Sequence, residues 1–535
     1  MTAPIDDSAS PKKKRPLNVI APEFRPDVKC TVRVHEVTDA MISVLRRDED
    51  LYQRADELVH VLRHDGDDSR FSPGTPLVRG APLSWLVDRV SAHGRCVSWS
   101  SKADGWVMCP PPVARVQAVR ERGEWDGIRH LEGVIEAPSL RADGTILQTP
   151  GYDASTRTLY IPNATFPSIA DDPSHSDAVI AYAHLAEIFA DFPYVDPSHR
   201  AAAIAAILTL LVRPYIRGSV PCWLFDASGP RSGKSLQTDV VSLVATGRQA
   251  SRMTYPEEDE ELEKVLASYA LAGARIVPFD NVARAFGGAA LDKCITATDQ
   301  VDLRVLGSST LRTLPWRAVV LASGNNVSCR GDMLPRVLSP RLESPLENPE
   351  ERADLKHPDL RGYVLRQRPL LVADAITILR AFLRAGSPAQ KSVARWGGFE
   401  AWSALVPHAL VWVGAPDPLG ARRGGADDED PIRAAEATIV GQWERLIHAS
   451  NGLDLTVSGA IAVLYPPPRA DEPPDGFNDL REALEHLTSA RPGVAPSSRK
   501  VGDTLRRLKS RPVGGRKMVS TPTKDGVARW RTTLC

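Results

Sequence analysis

Three apolar segments, each long enough for one buried strand, alternate with helical segments in the middle of the chain. They are "SVPCWLFDA" at 219–227, "RIVPFDN" at 275–281 and "WRAVVLASGNN" at 316–326. Strands that are apolar along their whole length and separated by helices are typical of a parallel sheet covered on both faces. We therefore predict an α/β core with a parallel sheet.

Length and composition limit the class of protein. The 535 residues are 43% apolar and 25% charged, and Lys plus Arg and Asp plus Glu both number 66. This length predicts several domains of ordinary globular composition. The cysteines form no CxxC pair, which favours a reducing cytoplasm over a zinc ribbon or a disulfide framework. We see no signal peptide, and the most apolar run, at 201–212, is too short to span a bilayer. We expect a soluble, cytoplasmic protein with no membrane partner.

Pattern and composition divide the chain into seven segments. The predicted segments are a disordered basic tail at 1–25, an α+β domain at 26–112, a mixed strand and helical region at 113–215, the parallel-sheet core at 216–345, a helical region at 346–464, a linker at 465–476 and a basic module at 477–535.

A loop, "SGPRSGKS", joins the first apolar segment to a helical one. Its backbone N–H groups and the N-terminus of the helix would attract phosphate oxygens. Lys234 would pair with the β- and γ-phosphates of ATP, and the Ser235 hydroxyl would bind Mg²⁺. Ser228 stands where the loop pattern has its first glycine, which limits φ but removes no phosphate ligand. The predicted nucleotide-contacting residues are Ser228, Gly229, Pro230, Arg231, Ser232, Gly233, Lys234, Ser235 and Leu236.

Polar residues end the two later apolar segments. Asp280 ends the second, and Asn325 and Asn326 end the third. The carboxyl ends of parallel strands meet at one edge of a sheet, where ligands bind. Each residue alone would fit an ordinary surface turn. Together with the loop they predict an ATP site in which Asp280 supports the metal through water and Asn325 senses the γ-phosphate.

The ordered set "SGPRSGKS", "RIVPFDN", "DLRVLGSS", "VVLASGNN" and "GDMLPRVLSPRLE" resembles a known family. It is similar to the ATPase module of superfamily-three-type helicases within the AAA+ group, in particular to helicase-like proteins of prophages, plasmids and integrative elements. The core likeness covers about 216–345. The first 150 residues carry no primase motif, so priming is not implied.

The resemblance implies roles for further residues. The family usually has a second carboxylate beside the Asp280 position, and this chain has Asn281, which cannot take a proton. Either another acid is the general base or hydrolysis is slow. Arg336 and Arg341 stand where such proteins place an arginine that reaches a neighbouring subunit's γ-phosphate, which implies an oligomeric, hexameric ring. Pairing of either arginine with nearby glutamates is the ordinary alternative.

The segment 298–317 lies between the second and third apolar segments. In the family that it resembles, a hairpin in this place projects into the ring pore and grips DNA. The resemblance therefore implies a DNA-contacting role for Arg304, Arg312 and Arg317. Arginines on an exposed hairpin are also common without any such role.

The last 45 residues are strongly basic, with only Asp503 and Asp525 as acids. "SSRKVGDTLRRLKSR" predicts a serine-capped helix, and "GGRKMVSTPTKDGVARWRTTL" predicts a two-stranded wing with a Lys-Asp-Gly turn. A helix followed by a basic hairpin is typical of a winged-helix DNA-binding module. A solvated basic tail is the alternative. The predicted DNA contacts are Arg499, Lys500, Arg506, Arg507, Lys509, Arg516 and Lys517.

These patterns predict an ATP- and Mg²⁺-dependent DNA helicase or translocase of a mobile element. It would act as a homo-oligomeric ring on single-stranded or forked DNA. Two alternatives stay open at this point. One is an AAA+ ATPase without unwinding activity, such as an initiator, a DNA-remodelling switch or a defence effector. The other is a DNA-binding regulator with a degenerate nucleotide site.

Overall fold

The structure, a computed structural model, has a mixed α/β fold. It describes residues 25–67, 70–229, 231–305, 311–330, 332–344, 354–422, 431–450, 454–466, 476–488, 490–510, 512–513, 515–522 and 527–534. The predicted tail therefore lies almost wholly outside the described residues. These residues form two compact units. The first comprises the described residues up to Val282, Ala289–Asn326 and Leu338–Ala421, and the second comprises Ala283–Gly288, Val327–Val337 and the described residues from Arg422.

The N-terminal part of the first unit contains small sheets and three helices. The helices are α1 (Val34–Leu45), α2 (Leu83–His93) and α3 (Val113–Arg120). The strands are β1 (Asp27–Lys29), β2 (Leu51–Arg54), β3 (Glu57–Arg63), β4 (Pro76–Gly80), β5 (Arg95–Ser100), β6 (Gly105–Met108), β7 (Gly133–Ile135), β8 (Ser139–Leu140), β9 (Ile146–Leu147), β10 (Gly151–Asp153) and β11 (Thr158–Tyr160). They pair in the orders β1-β5-β6, β2-β3-β4, β10-β11-β7 and β8-β9.

The remainder of the first unit is built around the central sheet. The helices are α4 (His175–Glu187), α5 (Pro197–Leu211), α6 (Lys234–Thr246), α7 (Asp259–Leu271), α8 (Ala289–Thr296), α9 (Leu360–Arg384) and α10 (Glu400–Trp412). The strands are β12 (Cys222–Ala227), β13 (Ile276–Val282), β14 (Gln300–Arg304), β15 (Leu311–Pro315), β16 (Val319–Asn325), β17 (Val337–Leu338) and β18 (Arg341–Leu342).

The central sheet has the strand order β13-β16-β12-β17, and β18 also pairs with β12. β12 runs parallel to β16 and β18, and β13 runs parallel to β16, which confirms the predicted parallel sheet. Every residue of β12 is buried, and so are Trp223, Phe225 and Phe279. The apolar run at 201–212 lies in α5, which is buried from Ala201 to its end. The three apolar segments are therefore strands because both of their faces are covered.

The N-terminal residues belong to the same compact unit as the sheet, although the sequence predicted separate domains there. Arg54 is buried, and its guanidinium donates to the carbonyl oxygens of Ala270 at 2.8 Å and Leu131 at 3.2 Å. The N–H of Val78 donates to the carbonyl of Ala272 at 3.0 Å. These bonds cross the boundaries predicted near residues 112 and 215. Sequence composition contains no signal for bonds between residues that are so far apart in the chain.

The second unit contains a helical cluster and a four-stranded antiparallel sheet. Its elements are α11 (Pro431–Ala449), α12 (Val457–Leu464), α13 (Asn478–Thr488), α14 (Ser498–Leu508), β19 (Leu455–Thr456), β20 (Pro512–Val513), β21 (Arg516–Pro522) and β22 (Ala528–Leu534), with the strand order β19-β22-β21-β20. Trp443, Leu464, Leu484, Leu505 and Trp530 share one core.

This unit begins earlier than the sequence-based boundary at 465–476. α11 and α12 fall within the predicted helical region at 346–464, but their apolar faces pack into the same core as α13, α14 and the sheet. Trp443 Nε1 of α11 donates to the carbonyl of Trp530 in β22 at 3.2 Å. The proline-rich stretch that suggested a linker therefore connects helices of one unit. Across the described ranges, no helix is both long and apolar enough to cross a membrane.

Candidate functional site

The loop after β12 leads directly into α6. Gly233 is the residue before the first turn of α6, and its φ of 97° is one that glycine adopts without steric strain. A Cβ at Gly233 would also approach ring carbons of Phe192 to 3.1 and 3.3 Å. Ser228 is not among the described non-glycine residues with positive φ. The missing first glycine is therefore explained, because a serine fits the backbone there. Pro230 lies outside the described residues.

Lys234 and Ser235 lie in the first turn of α6, where the N-terminus of a helix carries a partial positive charge. Burial lowers the pKa of the Lys234 ammonium, and the charges of Asp280 and Asp226 oppose that shift. Leu236 is half-buried and follows them in the same turn, while Arg231 is exposed and has a φ of 56°. Ser232 Oγ donates to the carbonyl of Gly229 at 3.0 Å, which closes the loop on itself.

Asp280 lies beside Ser235, as the sequence predicts. Ser235 Oγ donates to Asp280 Oδ1 at 3.0 Å, Ser323 Oγ donates to the same oxygen at 2.6 Å, and Arg252 Nη1 donates to Oδ2 at 2.9 Å. Burial raises the pKa of this carboxyl, but the bonds from Ser323, Arg252 and Ser235 outweigh it, and the net pKa is lowered. Asp280 is therefore an anion at neutral pH. A hydroxyl and a carboxylate side by side are the hard oxygen ligands that Mg²⁺ prefers.

The dependence of the free energy of unfolding on pH below neutrality tests these bonds to Asp280. Hydrogen bonds to a charged group each contribute about 1.5–3 kcal/mol. Because the pKa of Asp280 is lowered on folding, this stabilisation is fully present above the ordinary aspartate pKa and is lost as pH falls through the lowered value. We expect Ser323→Ala to lower the free energy of unfolding at pH 7 by about that amount and by much less at pH 2–3. Denaturant unfolding at several pH values measures the difference.

Ser268→Ala is the matched control for that experiment. Ser268 Oγ donates to the carbonyl oxygen of Val265 at 2.7 Å, so no carboxylate titrates with it. Its effect on stability should be the same across the pH range. A pH-independent loss in Ser323→Ala as well would contradict an ionised, serine-bonded Asp280.

A β-bulge explains the residue after Asp280. β13 and β16 change register between Phe279 and Val282, so that one extra residue of β13 faces its partner. A bulge bends the strand and redirects a side chain. Asn281 is exposed and has a φ of 54°, a left-handed conformation that asparagine adopts more readily than glutamate. The position where the resembled family has an acid therefore has a backbone that favours asparagine here.

Asn325 is the last residue of β16 and is exposed. It lies opposite Ala227, the last residue of β12, and β16 lies between β12 and β13. The predicted sensor, loop and metal-supporting acid thus meet at one edge of the sheet. The neighbouring Asn326 donates from Nδ2 to the carbonyl of Ser228 at 3.1 Å, so it fastens the start of the loop.

Arg341 forms ion pairs and a hydrogen bond within its own chain. Its Nη1 pairs with Asp226 Oδ2 at 2.5 Å, its Nη2 donates to Asn326 Oδ1 at 2.8 Å, and its Nε pairs with Glu343 at 3.2 Å. Asp226 is wholly buried in β12. Because a buried carboxylate needs a cation, Arg341 is engaged by its own chain, which favours pairing within the chain over the predicted contact with a neighbouring subunit. Arg336 ends a short 3₁₀ helix, Leu334–Arg336, in the second unit, and its role stays a prediction.

The sequence analysis does not predict the contacts of two arginines with the buried carboxylate of Asp239. Arg252 bridges Asp280 and the buried Asp239 of α6, to which its Nη2 donates at 3.0 Å. Arg361 of α9 donates to the same oxygen of Asp239 at 2.9 and 2.7 Å. The N–H of Asp280 donates to the carbonyl of Met253 at 2.7 Å, which brings Arg252 beside the site. The sequence contains a signal for these contacts, because an acidic residue within an apolar run is buried and then needs a charged partner.

The predicted hairpin is present as β14 and β15, and its tip at 306–310 lies outside the described residues. Two of its three predicted DNA contacts are engaged elsewhere. Arg312 pairs with Asp56 and with Glu57, and its side chain is only 17% exposed. Arg317 pairs with Glu132 at 2.9 Å. Both arginines therefore join the hairpin base to the N-terminal residues, which favours a structural role over the predicted DNA contact. Arg304 is exposed at the end of β14.

In the second unit, α14 begins after Ser497, whose Oγ accepts the N–H of Lys500 at 3.4 Å, as the sequence predicts. Arg499, Lys500, Arg506, Arg507 and Lys509 are exposed, although Arg506 pairs with Asp503 at 2.8 Å and Lys500 Nζ donates to the carbonyl of Thr488 at 3.0 Å.

The predicted wing strands pair as β21 and β22, and the turn between them lies outside the described residues. Met518 and Trp530 are buried on one face of this pair. Lys517 and Arg531 therefore lie on the other face. Arg516 pairs with Glu444 of α11.

No protein-family model and no curated protein matches the chain. Among solved structures, one described as the A-form apo structure of the NrS-1 C-terminal region matches 70% of this chain and 79% of that chain, at 10% identity and a TM-score of 0.32. A JCV helicase bound to a thiazolopyridine compound matches 45% of this chain and 67% of that chain, at 14% identity and a TM-score of 0.20. Both scores are below 0.5, so neither likeness supports an inference about this chain's activity.

Proposed function

We propose that the chain is an ATP- and Mg²⁺-dependent DNA helicase or translocase of a mobile genetic element. One observation carries the proposal. The hydroxyl of Ser235, in the first turn of the helix that follows a glycine-containing loop, lies 3.0 Å from the carboxylate of Asp280 in β13. Asn325, at the end of β16, which lies between β12 and β13 in the sheet, supports the same proposal.

The residues at this edge of the sheet have distinct tasks in the proposed reaction. Backbone N–H groups of the loop and the ammonium of Lys234 would bind the β- and γ-phosphates. Ser235 and Asp280 would hold Mg²⁺, which supplies positive charge to the triphosphate when bound. Ser323 and Arg252 keep Asp280 ionised and oriented. Asn325 would orient the attacking water with its amide.

We propose that the active form is a homo-oligomeric ring, as the sequence resemblance implies. Arg336 remains the candidate for an arginine that reaches a neighbouring subunit's γ-phosphate, because Arg341 is held by Asp226. Arginine supplied across an interface stabilises the charge that develops in phosphoryl transfer. Nucleotide-dependent rings in electron micrographs, and faster hydrolysis in wild type than in Arg336→Ala, would support this role.

Strand displacement on a forked duplex tests the proposed activity. A helicase should release the labelled strand only with ATP and Mg²⁺, and single-stranded DNA should stimulate its hydrolysis of ATP. ATP hydrolysis without strand release would instead favour the alternative below. Neither hydrolysis nor strand release would remove the enzyme assignment altogether.

The hairpin offers a matched pair of variants for DNA contact. Arg304 is exposed, and Arg312, almost opposite it on β15, is held in ion pairs. We expect Arg304→Ala to weaken single-stranded DNA binding and to reduce the slope of log affinity against log salt by about 0.7, the value for one phosphate contact on a single strand. Arg312→Ala should leave DNA affinity unchanged and lower the unfolding temperature. Fluorescence anisotropy at several salt concentrations measures the first effect and thermal unfolding the second. Equal losses of DNA affinity in the two variants would contradict this assignment.

An AAA+ ATPase without unwinding activity is the second candidate. Asn281 favours it, because the left-handed bulge position next to Asp280 carries no carboxylate to act as general base. Such a protein would use its nucleotide state to change shape, with slow hydrolysis. Burst-phase kinetics with little steady-state turnover would favour this candidate over a translocase.

A further inference from the structure

A small cavity lies at the edge of the central sheet opposite to the candidate ATP site. Its walls include Gly273–Arg275, which precede β13, and Arg317, which precedes β16. The ATP-site residues lie at the other ends of these strands. The cavity has a volume of about 40 Å³. A single water needs roughly 10–15 Å³, so a group of several atoms fits.

Two guanidinium groups in its wall have unsatisfied donors. Arg213 is 4% exposed, and its Nη1 and Nη2 donate to the carbonyls of Ile216 at 2.8 Å and Gly218 at 3.0 Å. Its Nε is buried and has no hydrogen-bond partner among the described residues. Arg317 bonds to Glu132 through Nε and Nη2 and also pairs with Asp299 through Nη2 at 2.7 Å, and its Nη1 is buried and has no hydrogen-bond partner within the described ranges. Buried N–H donors without an acceptor are rare in folded proteins.

The charge in this wall is unbalanced. Arg213, Arg275 and Arg317 line the cavity, and Glu132 is the only carboxylate that does so among the described residues. Burial lowers the pKa of Arg213 to about 9, and the charge of Arg317 contributes to the lowering. Burial also lowers the pKa of the neighbouring Arg54 to about 10. Glu132 and Asp299 pair with Arg317, whereas Arg213 bonds to carbonyl oxygens within the described residues, so a negatively charged occupant would offset the buried charge of Arg213.

We propose that this cavity binds a phosphate group, which would accept hydrogen bonds from Arg213 Nε and Arg317 Nη1. Guanidinium groups suit phosphate because they are planar, permanently charged donors. The phosphate is either free orthophosphate or the terminal phosphate of a nucleic-acid strand. Arg317 lies two residues after Pro315, the last residue of β15, so an occupant would also hold the base of the hairpin. The proposal is independent of ATP hydrolysis.

Phosphate-dependent stabilisation of the full chain tests it. The experiments use the Lys234→Ala background, in which the loop of the candidate ATP site is weakened for phosphate. We expect inorganic phosphate to raise the unfolding temperature in a saturable way at fixed ionic strength, relative to chloride. Arg213→Gln in that background should require at least tenfold more phosphate for the same shift. Arg366→Gln is the control, because Arg366 is exposed, pairs with Asp359 and does not line the cavity, and its response should be unchanged.

A variant that fills the cavity keeps the test decisive if Arg213→Gln does not fold. Gly133 lines the cavity, has no positive φ, and an added Cβ there would meet nothing within 4 Å. Gly133→Val retains every arginine and should abolish the phosphate response. No phosphate response in the Lys234→Ala chain, or the same response in Gly133→Val, would overturn the proposal.

The source of the phosphate is distinguished by competition. If an oligonucleotide with a 5′-phosphate displaces inorganic phosphate and the same oligonucleotide with a 5′-hydroxyl does not, the ligand is the end of a nucleic-acid strand. If neither displaces it while Gly133→Val abolishes binding, the ligand is free phosphate.

Discussion

Lys234→Ala should reduce ATP hydrolysis by at least about 100-fold. The ammonium lies in the first turn of α6, half-buried, with Asp280 and Asp226 as its neighbouring charges. At this position it would stabilise charge that develops on the β- and γ-phosphates, and one well-placed donor to a developing charge contributes about 10²–10³ in rate. Release of phosphate from ATP, with and without single-stranded DNA, measures the effect.

The control for this variant is Lys264→Ala. Lys264 of α7 has a side chain that is 40% exposed, and it pairs with Glu261 at 3.3 Å. It should hydrolyse ATP at the wild-type rate, and both variants should keep the wild-type circular dichroism. If Lys234→Ala retains full activity, the loop is not the site of hydrolysis.

Arg341→Ala should destabilise the first unit by about 3–5 kcal/mol. Removal of one partner of a buried ion pair leaves the other charge uncompensated, and losses of this size are typical. Here the remaining charge would be Asp226, which is 0% exposed in β12 and receives Arg341 Nη1 at 2.5 Å. Denaturant unfolding, fitted with a separate transition for each unit, measures the change.

A double variant separates this explanation from a role in a neighbouring subunit. Asp226→Asn combined with Arg341→Met removes both charges, and we expect it to recover most of the lost stability. An arginine that acted only across an interface would leave the stability of the single chain unchanged on substitution. Such an unchanged stability in Arg341→Ala would restore the sequence-based assignment.

The sheet and the helices beside it could be predicted because their signals are local. The predicted strand at 219–227 is Cys222–Ala227, and the helical segment predicted after the loop is Lys234–Thr246, ended by Gly247 with a φ of 76°. Apolar runs, glycine caps and a serine cap at Ser497 are each legible within about ten residues. The meeting of Ser235 with Asp280 followed from the parallel arrangement, since carboxyl ends of such strands share an edge.

The partners of the arginines could not be predicted, because they are distant in the chain. Arg312 pairs with Asp56, and Arg317 with Glu132, across more than one hundred residues. A list of charges on a hairpin does not tell whether each is exposed or paired. Acidic residues inside apolar runs predict buried ion pairs, because a buried carboxylate needs a charged partner. Asp226 in "CWLFDA" and Asp239 in α6 are both buried, and both required arginine partners.

The bounds of the two compact units differ from the predicted segment boundaries for a related reason. Proline and acidic residues at 465–476 are typical of a linker, yet the helices before and after that stretch share the core around Trp443 and Leu484. Composition reports the local solubility of a segment, whereas a compact unit is defined by which apolar faces meet.

The central claim is that Ser235 and Asp280 hold the metal of a bound nucleotide. A crystal structure with a non-hydrolysable ATP analogue and Mn²⁺, which replaces Mg²⁺ and scatters anomalously, tests it most directly. We predict an anomalous peak about 2.0–2.2 Å from Ser235 Oγ, with Asp280 within reach through one water. Nucleotide density elsewhere, or a peak that contacts neither residue, would contradict it.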